Sequence, residues 1–504
     1  MKPKIKIIAA VFQVSLVFLS LQGEPDEILP ILQMRDIGET KFFARKLEEA
    51  RELCEEEKKA KKKKPVQYEP EKERKKRKFE FHLVGGMSFE MMYDSRQVIG
   101  DRFDEFIFFP APQKIDNSGL DINEKDQFNM MGVRACCALH VRGPMLWGAK
   151  TSAVIEGEFN GINNDTVRLF RLIRANANFD WKNTRLMFGH YYHPLVLDEM
   201  FPETVSRGQG RVYDPFDYAP QIKLRHRMRE FEFVLAVSKI FDSQPARWAT
   251  LPDLFAQFNW LVKDHILGVG INYHAEVPRL FSQIPPAETG LDAVKTYKTT
   301  EQVDSIYPFV FAALKFEPFD VRMRATYAEN GSVYDLIGAY AVKYRNDATD
   351  DRLLNNLRTL ACWADIIYKK WTHLEPGVFV GVSKNFGASK KIIKGFEYTP
   401  ESCTCPPEDS TDPECLSLLD VPDSVTTIDY TFIFAPRLRV RFGEFSLGAE
   451  IEYTRASYSR AFDQDGWQND FDDTGKVICS KPVSNFRLLL ATFYNFDYMP
   501  FSYK

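Results

Sequence analysis

The chain has 504 residues, 44% of them hydrophobic and 14% aromatic, with a formal net charge of -4. That charge balance excludes a strongly basic nucleic-acid binder, and the length suits a strand-rich barrel built as one unit. Many aromatics (41 Phe and 21 Tyr) at a mean hydropathy of -0.32 suit a molecule that is greasy on one surface and polar on another.

Lys2, Lys4 and Lys6 precede an apolar run from Ile7 to Leu21, so residues 1–23 read as a secretory signal peptide cut near Gln22 or Gly23. An uncleaved anchor is the competing reading, but the run is short and Gln13 interrupts it. Residues 24–78 read as a periplasmic helical and charged linker. In it Phe43, Leu47, Ala50 and Cys54 have the spacing of a coiled-coil seam, and the basic stretch from Lys58 to Lys78 reads as solvated.

From Phe79 to the C-terminus the pattern alternates with period two, which predicts an all-β fold: a transmembrane antiparallel barrel of about 16 strands spanning 79–504. In the segment 222–228, Lys223, Arg225 and Arg227 share one face and Ile222, Leu224 and Met228 the other. Strands are expected near 79–93, 133–142, 153–159, 167–181, 183–191, 220–228, 229–240, 252–263, 265–276, 304–317, 319–329, 357–370, 374–386, 426–442, 444–457 and 481–498. Short connections such as 263–264 and Gly443 alternate with long ones such as 94–126, 192–219 and 387–425. A sandwich has no reason to sort its loops this way, whereas a barrel with periplasmic turns and outer loops does.

A guanidinium on the lipid face costs about 2–4 kcal/mol at the membrane midplane, so rows of them are expected to face a wet interior. The expected pore-lining set is Arg134, Arg174, Lys223, Arg225, Arg227, Arg322, Arg324, Arg437, Arg439 and Arg441, with Glu156, Glu158, Glu450 and Glu452 as acidic rows. Separate basic and acidic walls would set a transverse field across the pore. The third outer loop, 192–219, carries Asp198, Glu199, Glu203, Asp214 and Asp217 and is expected to fold inward as a constriction, its acids meeting Arg225, Arg322 and Arg439. The competing readings are a solvated outer flap and arginines that only brace the wall.

Cys403, Cys405 and Cys415 in a Pro- and acid-rich loop are expected to form a disulfide rather than a zinc site, which lacks a fourth ligand nearby. His190 and His193 in HYYH lack a third metal ligand, and a hydrolase built from Ser88, His190 and Asp198 would need those residues to converge. Neither a metal or cofactor nor catalysis is expected.

YDSRQ (93–97), FFPAPQKIDNSGLDIN (108–123), QFNM (127–130), GAKTSAVIEGEFNG (148–161), LFRLIRANANFDW (169–181) and GHYYHPL (189–195) resemble the DcaP-like bacterial outer-membrane porins. The resemblance runs from about Phe79 to the end and is densest over 79–221. It implies a 16-stranded homotrimeric diffusion channel in the outer-membrane bilayer, with a periplasmic helical segment and a preference for small anionic solutes. A barrel kept for a structural or adhesive surface role, its lumen blocked by loops, is the alternative.

Overall fold

A computed structural model describes residues 79–503 except 133, 162, 209, 242, 285–293, 394–427 and 460–469, with backbone alone at 498–503. The signal peptide, the 24–78 linker and the disulfide expected among Cys403, Cys405 and Cys415 lie outside the described residues.

Sixteen long strands are present among the described residues: β1 Phe79–Asp94, β2 Ala135–Arg142, β3 Lys150–Phe159, β4 Phe170–Asp180, β5 Thr184–Tyr192, β6 Tyr218–Met228, β7 Phe231–Ser238, β8 Asp253–Val262, β9 His265–Glu276, β10 Val303–Phe316, β11 Phe319–Glu329, β12 Arg352–Tyr368, β13 Leu374–Ala388, β14 Ile428–Phe442, β15 Phe445–Ser459 and β16 Ser480–Tyr503. Each pairs antiparallel with the next, and β16 closes on β1, Met87 facing Tyr494. Gln127–Met131 continues β2 along the far end of β1, and Tyr340–Arg345 adds a flap to β12. The expected strands are all there. β12 begins five residues earlier than its alternation suggested because it pairs there with that flap, and β16 runs five residues past its expected end.

Strand β7 shows why the sequence folds this way. Phe231, Phe233, Leu235 and Val237 are exposed while Glu232, Val234, Ala236 and Ser238 are buried, one set on each side of the pleat. The same holds around the wall, where exposed Ile222, Val269, Val310, Leu438, Ile451 and Leu488 form an apolar outer belt. Such a belt is stable only against lipid. The tight turns at 229–230, 263–264 and 443–444 open on Arg229, Lys263 and Gly443, all with positive φ (54°, 53° and 61°). That handedness matches the strand twist, and only Gly443 adopts it without steric cost.

The inside departs from the simple alternation. Phe255, Phe309, Phe311, Trp363 and Phe379 point inward and are buried against Leu195, Leu197, Met200, Val212 and Tyr213 of the 193–217 loop and Leu336 and Ile337 of the loop after β11. The interior expected to be wet is therefore in one part a dry, packed core. Alternation says which face a side chain takes, and an inward Phe beside an outward Val reads simply as one apolar run.

Candidate functional site inside the barrel

The 193–217 loop leaves β5 and returns to β6, yet it is tethered to strands on the far side of the cylinder. Arg322 of β11 donates to the Phe201 carbonyl at 2.5 Å and to Glu203 at 2.7 Å. Asp365 of β12 accepts from the Glu203 N–H at 2.8 Å. Glu450 of β15 accepts from the N–H groups of Val205 and Ser206 at 2.7 and 3.2 Å. Arg439 of β14 donates to the Thr204 carbonyl at 3.1 Å. A segment rooted between β5 and β6 can reach all four strands only through the interior, so the loop folds inward.

Shape holds it there as firmly as charge. The ring of Tyr213 lies on Gly381 of β13, where an added Cβ would come within 2.5 Å of it, and Val205 lies on Gly448 of β15, where a Cβ would come within 2.7 Å. The missing side chains are sockets for the loop. Tyr213 adds a hydroxyl contact of 2.9 Å to Thr431. Between the loop and β13–β15 a cavity of about 20 Å³ remains, bounded by Thr204, Tyr213, Phe379, Glu450 and Thr454, enough for about one water.

The loop acids meet bases, though not all those expected. Asp198 lies 3.4 Å from Lys223 and 3.6 Å from Arg225, and Glu199 lies 2.5 Å from Arg225. Glu203 pairs with Arg322 and, at 3.0 Å, with Lys369. Burial pushes the Glu203 carboxyl up, but the hydrogen bond from Lys369 and the Arg322 charge outweigh it and hold the group down at about 2. Asp214 pairs with Arg324 at 2.9 Å and accepts from the Trp363 indole at 2.9 Å; burial leaves its carboxyl raised despite both partners. Asp217 meets none of the three expected arginines; its carboxylate accepts from the Tyr218 N–H at 2.6 Å.

The expected lining residues fall into three groups. Arg324 and Arg437 have side chains only 0% and 2% exposed, and Lys223, Glu158, Glu450 and Glu452 are buried as well. Arg324 and Glu450 are held by the loop, and Arg437 lies 2.7 Å from Asp365. Arg134, Arg174, Arg225, Arg322 and Arg439 keep 17–26% of their side chains open. Arg441 and Arg227 sit at the short-turn end, where Arg441 lies 3.1 Å from Glu375 and Arg227 donates to the Arg229 carbonyl.

Separate acidic and basic walls do not form. Glu156 pairs with Arg174 on the next strand, and Glu158 takes both Arg134 and Arg171 at 2.7 Å. Arg171 was missed because strict alternation puts residues 171 and 174 on opposite faces. In β4 an extra residue at Ile173 shifts the register, and both guanidiniums turn inward. Lys369 and Glu375, which flank the 369–373 turn, were also missed: only the closed barrel brings Glu375 to Lys369, Arg439 and Arg441.

At the long-loop end, Arg102 from the first outer loop and Arg211 from the third each lie 4.6 Å from the Phe106 ring. Nε and Nη1 of Arg102 are buried without a hydrogen-bond partner. Burial, with Arg171 and Arg211 nearby, draws the Arg102 guanidinium down to about 10.

His193 is fully buried, 3.0 Å from Asp253 and 3.1 Å from Ser238, at the root of the loop. Burial lowers its imidazole, and the hydrogen bond to Asp253 opposes that shift. His190 stacks on Tyr218, so the two histidines do not converge. Among the described residues no group of His, Cys, Asp and Glu is placed to hold a metal. Ser88 lies beside Arg207 and Asp198 beside the Tyr191 hydroxyl, which keeps the hydrolase trio apart.

No family model matches this sequence, and no curated protein matches it. Solved structures do. The outer membrane channel DcaP of Acinetobacter baumannii superposes with a TM-score of 0.55 at 13% identity, over 83% of this chain and 97% of that one. An anion-selective porin from Comamonas acidovorans gives 0.46 at 8% identity over 83% and 100%, and the trimer form of the Vibrio cholerae outer membrane protein OmpT gives 0.47 at 8% over 83% and 99%. At 13% identity the first likeness is one of fold: a closed antiparallel barrel similar to that of the DcaP channel.

Proposed function

We propose that the protein is an outer-membrane porin, exported by its N-terminal signal and passing small hydrophilic, preferentially anionic solutes along the side of the barrel that the loop leaves open. The route runs between the 193–217 loop and the wall of β2–β6, past Arg134, Arg174 and Arg225, with Arg322 and Arg439 at the margin where the loop meets the far wall. Asp198, Glu199 and Glu203 narrow it.

One observation carries the anionic preference: the carboxylates are shared. Glu158 serves Arg134 and Arg171, Glu203 serves Arg322 and Lys369, and Glu375 serves Lys369, Arg439 and Arg441. Arg225, with three acids around it, and Arg174, with Glu156 to itself, are exceptions. Shared acids leave positive charge uncompensated in a space of low dielectric, which favours anions. Association as a homotrimer belongs to this reading, and cross-linking in membranes checks it.

A second reading, a structural barrel with a blocked lumen, is favoured by the buried aromatic core around Trp363 and Phe379. Planar-bilayer recording separates the two. Discrete conductance steps support the porin, and an electrically silent, folded protein supports the structural barrel.

A further inference from the structure

We infer that the outer wall of β13–β15 binds the phosphorylated headgroup of an outer-leaflet lipid through Arg455, with Lys384 as a second cation. The site lies outside the lumen; it rests on the proposed function only for orientation, long loops outward.

The register places both side chains on the lipid-facing surface near the long-loop end. Arg455 of β15 faces Phe432 of β14, Lys384 of β13 faces Tyr430 of β14, and Tyr430 faces Ser457 on the other side. Below them the outward face is apolar, with Phe434, Ile451 and Leu488 exposed, and Tyr453 and Phe486 sit beside Arg455 at the upper edge of that belt. Such aromatic positions mark the headgroup level of a barrel. Two strand spacings separate the cations, about 10 Å between backbones.

Arg455 is what asks for a ligand. Every expected lumen arginine has an acid or a carbonyl as partner, but Arg455 has no ion pair among the described residues, and its Nε is enclosed with no acceptor. Packing keeps water from that N–H, while the half-buried guanidinium still faces outward. A guanidinium on a lipid-facing wall is tolerated when an anion meets it, and phosphate matches its fork of donors. The hydroxyl pair Tyr453–Ser484, 3.0 Å apart on the adjoining strand edge, gives a neutral polar rim to the same spot. Lys384 is paired with Asp429, yet its side chain stays 34% exposed and lies 5.8 Å from the Tyr430 ring, so one cation there is shared and the other is free.

The test uses the full-length protein purified from outer membranes, the K384Q/R455Q variant, and two probes, bis-phosphorylated lipid A and the same lipid with both phosphates removed. Native mass spectrometry of the wild type is expected to retain the phosphorylated probe, with the dephosphorylated one bound at least about tenfold more weakly, the loss of one charged hydrogen bond. The variant is expected to lose that discrimination while its channel conductance stays unchanged. Equal binding of the two probes by the wild type overturns the inference and needs no variant to fold. So does full discrimination by a folded variant. A wild type that discriminates the probes but passes no current sinks the porin reading and leaves this site standing.

Discussion

Glu450 accepts hydrogen bonds from the backbone of Val205 at 2.7 Å, joining β15 to a loop rooted on the opposite side of the barrel. A buried carboxyl group that ties down two successive backbone N–H groups is a specific tether, about 0.5–1.5 kcal/mol for each hydrogen bond. Replacing Glu450 by Ala frees both donors. We expect the E450A channel to conduct more, with larger open-state fluctuations, and to be cut by protease within 198–212 where the wild type resists. Unaltered conductance and protection would show that this tether does not hold the loop.

Gly381 makes the same point through shape. A methyl group at this position would meet the Tyr213 ring at 2.5 Å, and neither the β-strand nor the ring, held on Thr431, has room to give. Gly381→Ala should therefore lower the thermal midpoint, at a cost of about 1–3 kcal/mol from overpacking. Removing the ring as well, in Gly381→Ala with Tyr213→Ala, should recover part of that loss. A non-additive double-mutant cycle checks it.

Acid should release the loop late. The Glu203 carboxyl is depressed to about 2 in the folded protein, so its contribution is fully present above the ordinary carboxylate range and is lost as pH falls through that range toward 2. Asp350, in the loop before β12, behaves alike: burial pushes it up, but Arg352, Arg279 and Arg345 hold it at about 2. Channel recordings stepped from pH 7 to 3 should keep their open level until about pH 4 and turn noisy below it, an onset set by the titration of these carboxyls. In Glu203→Gln the noise should be present already at pH 7.

Much of this was legible beforehand, and for a stated reason. Period-two alternation is local, so Phe231 to Ser238 announce their two faces without help from the rest of the chain, and the sorting of loop lengths gives the strand count. The inward loop was readable as a cluster of acids opposite rows of Arg. Its partners were not: Val205 with Glu450, or Asp214 with Arg324 rather than Arg439, depend on contacts between residues more than a hundred positions apart. Nor could the pattern tell that Phe309 and Phe311 face in, or that the shift at Ile173 turns Arg171 inward. The sockets at Gly381 and Gly448 carry no signal in a single sequence; a glycine in a strand is ordinary until something is seen resting on it.

The central claim is that the half-open arginines leave the route net positive, and reversal potential under a salt gradient tests it most directly. Arg225, Arg322 and Arg439 face the proposed path from three different strands. In the wild type the reversal potential should carry the sign of anion preference, and changing all three to Glu should move it toward cations. A wild-type potential of cation sign, or one unmoved in the folded triple variant, would contradict the account.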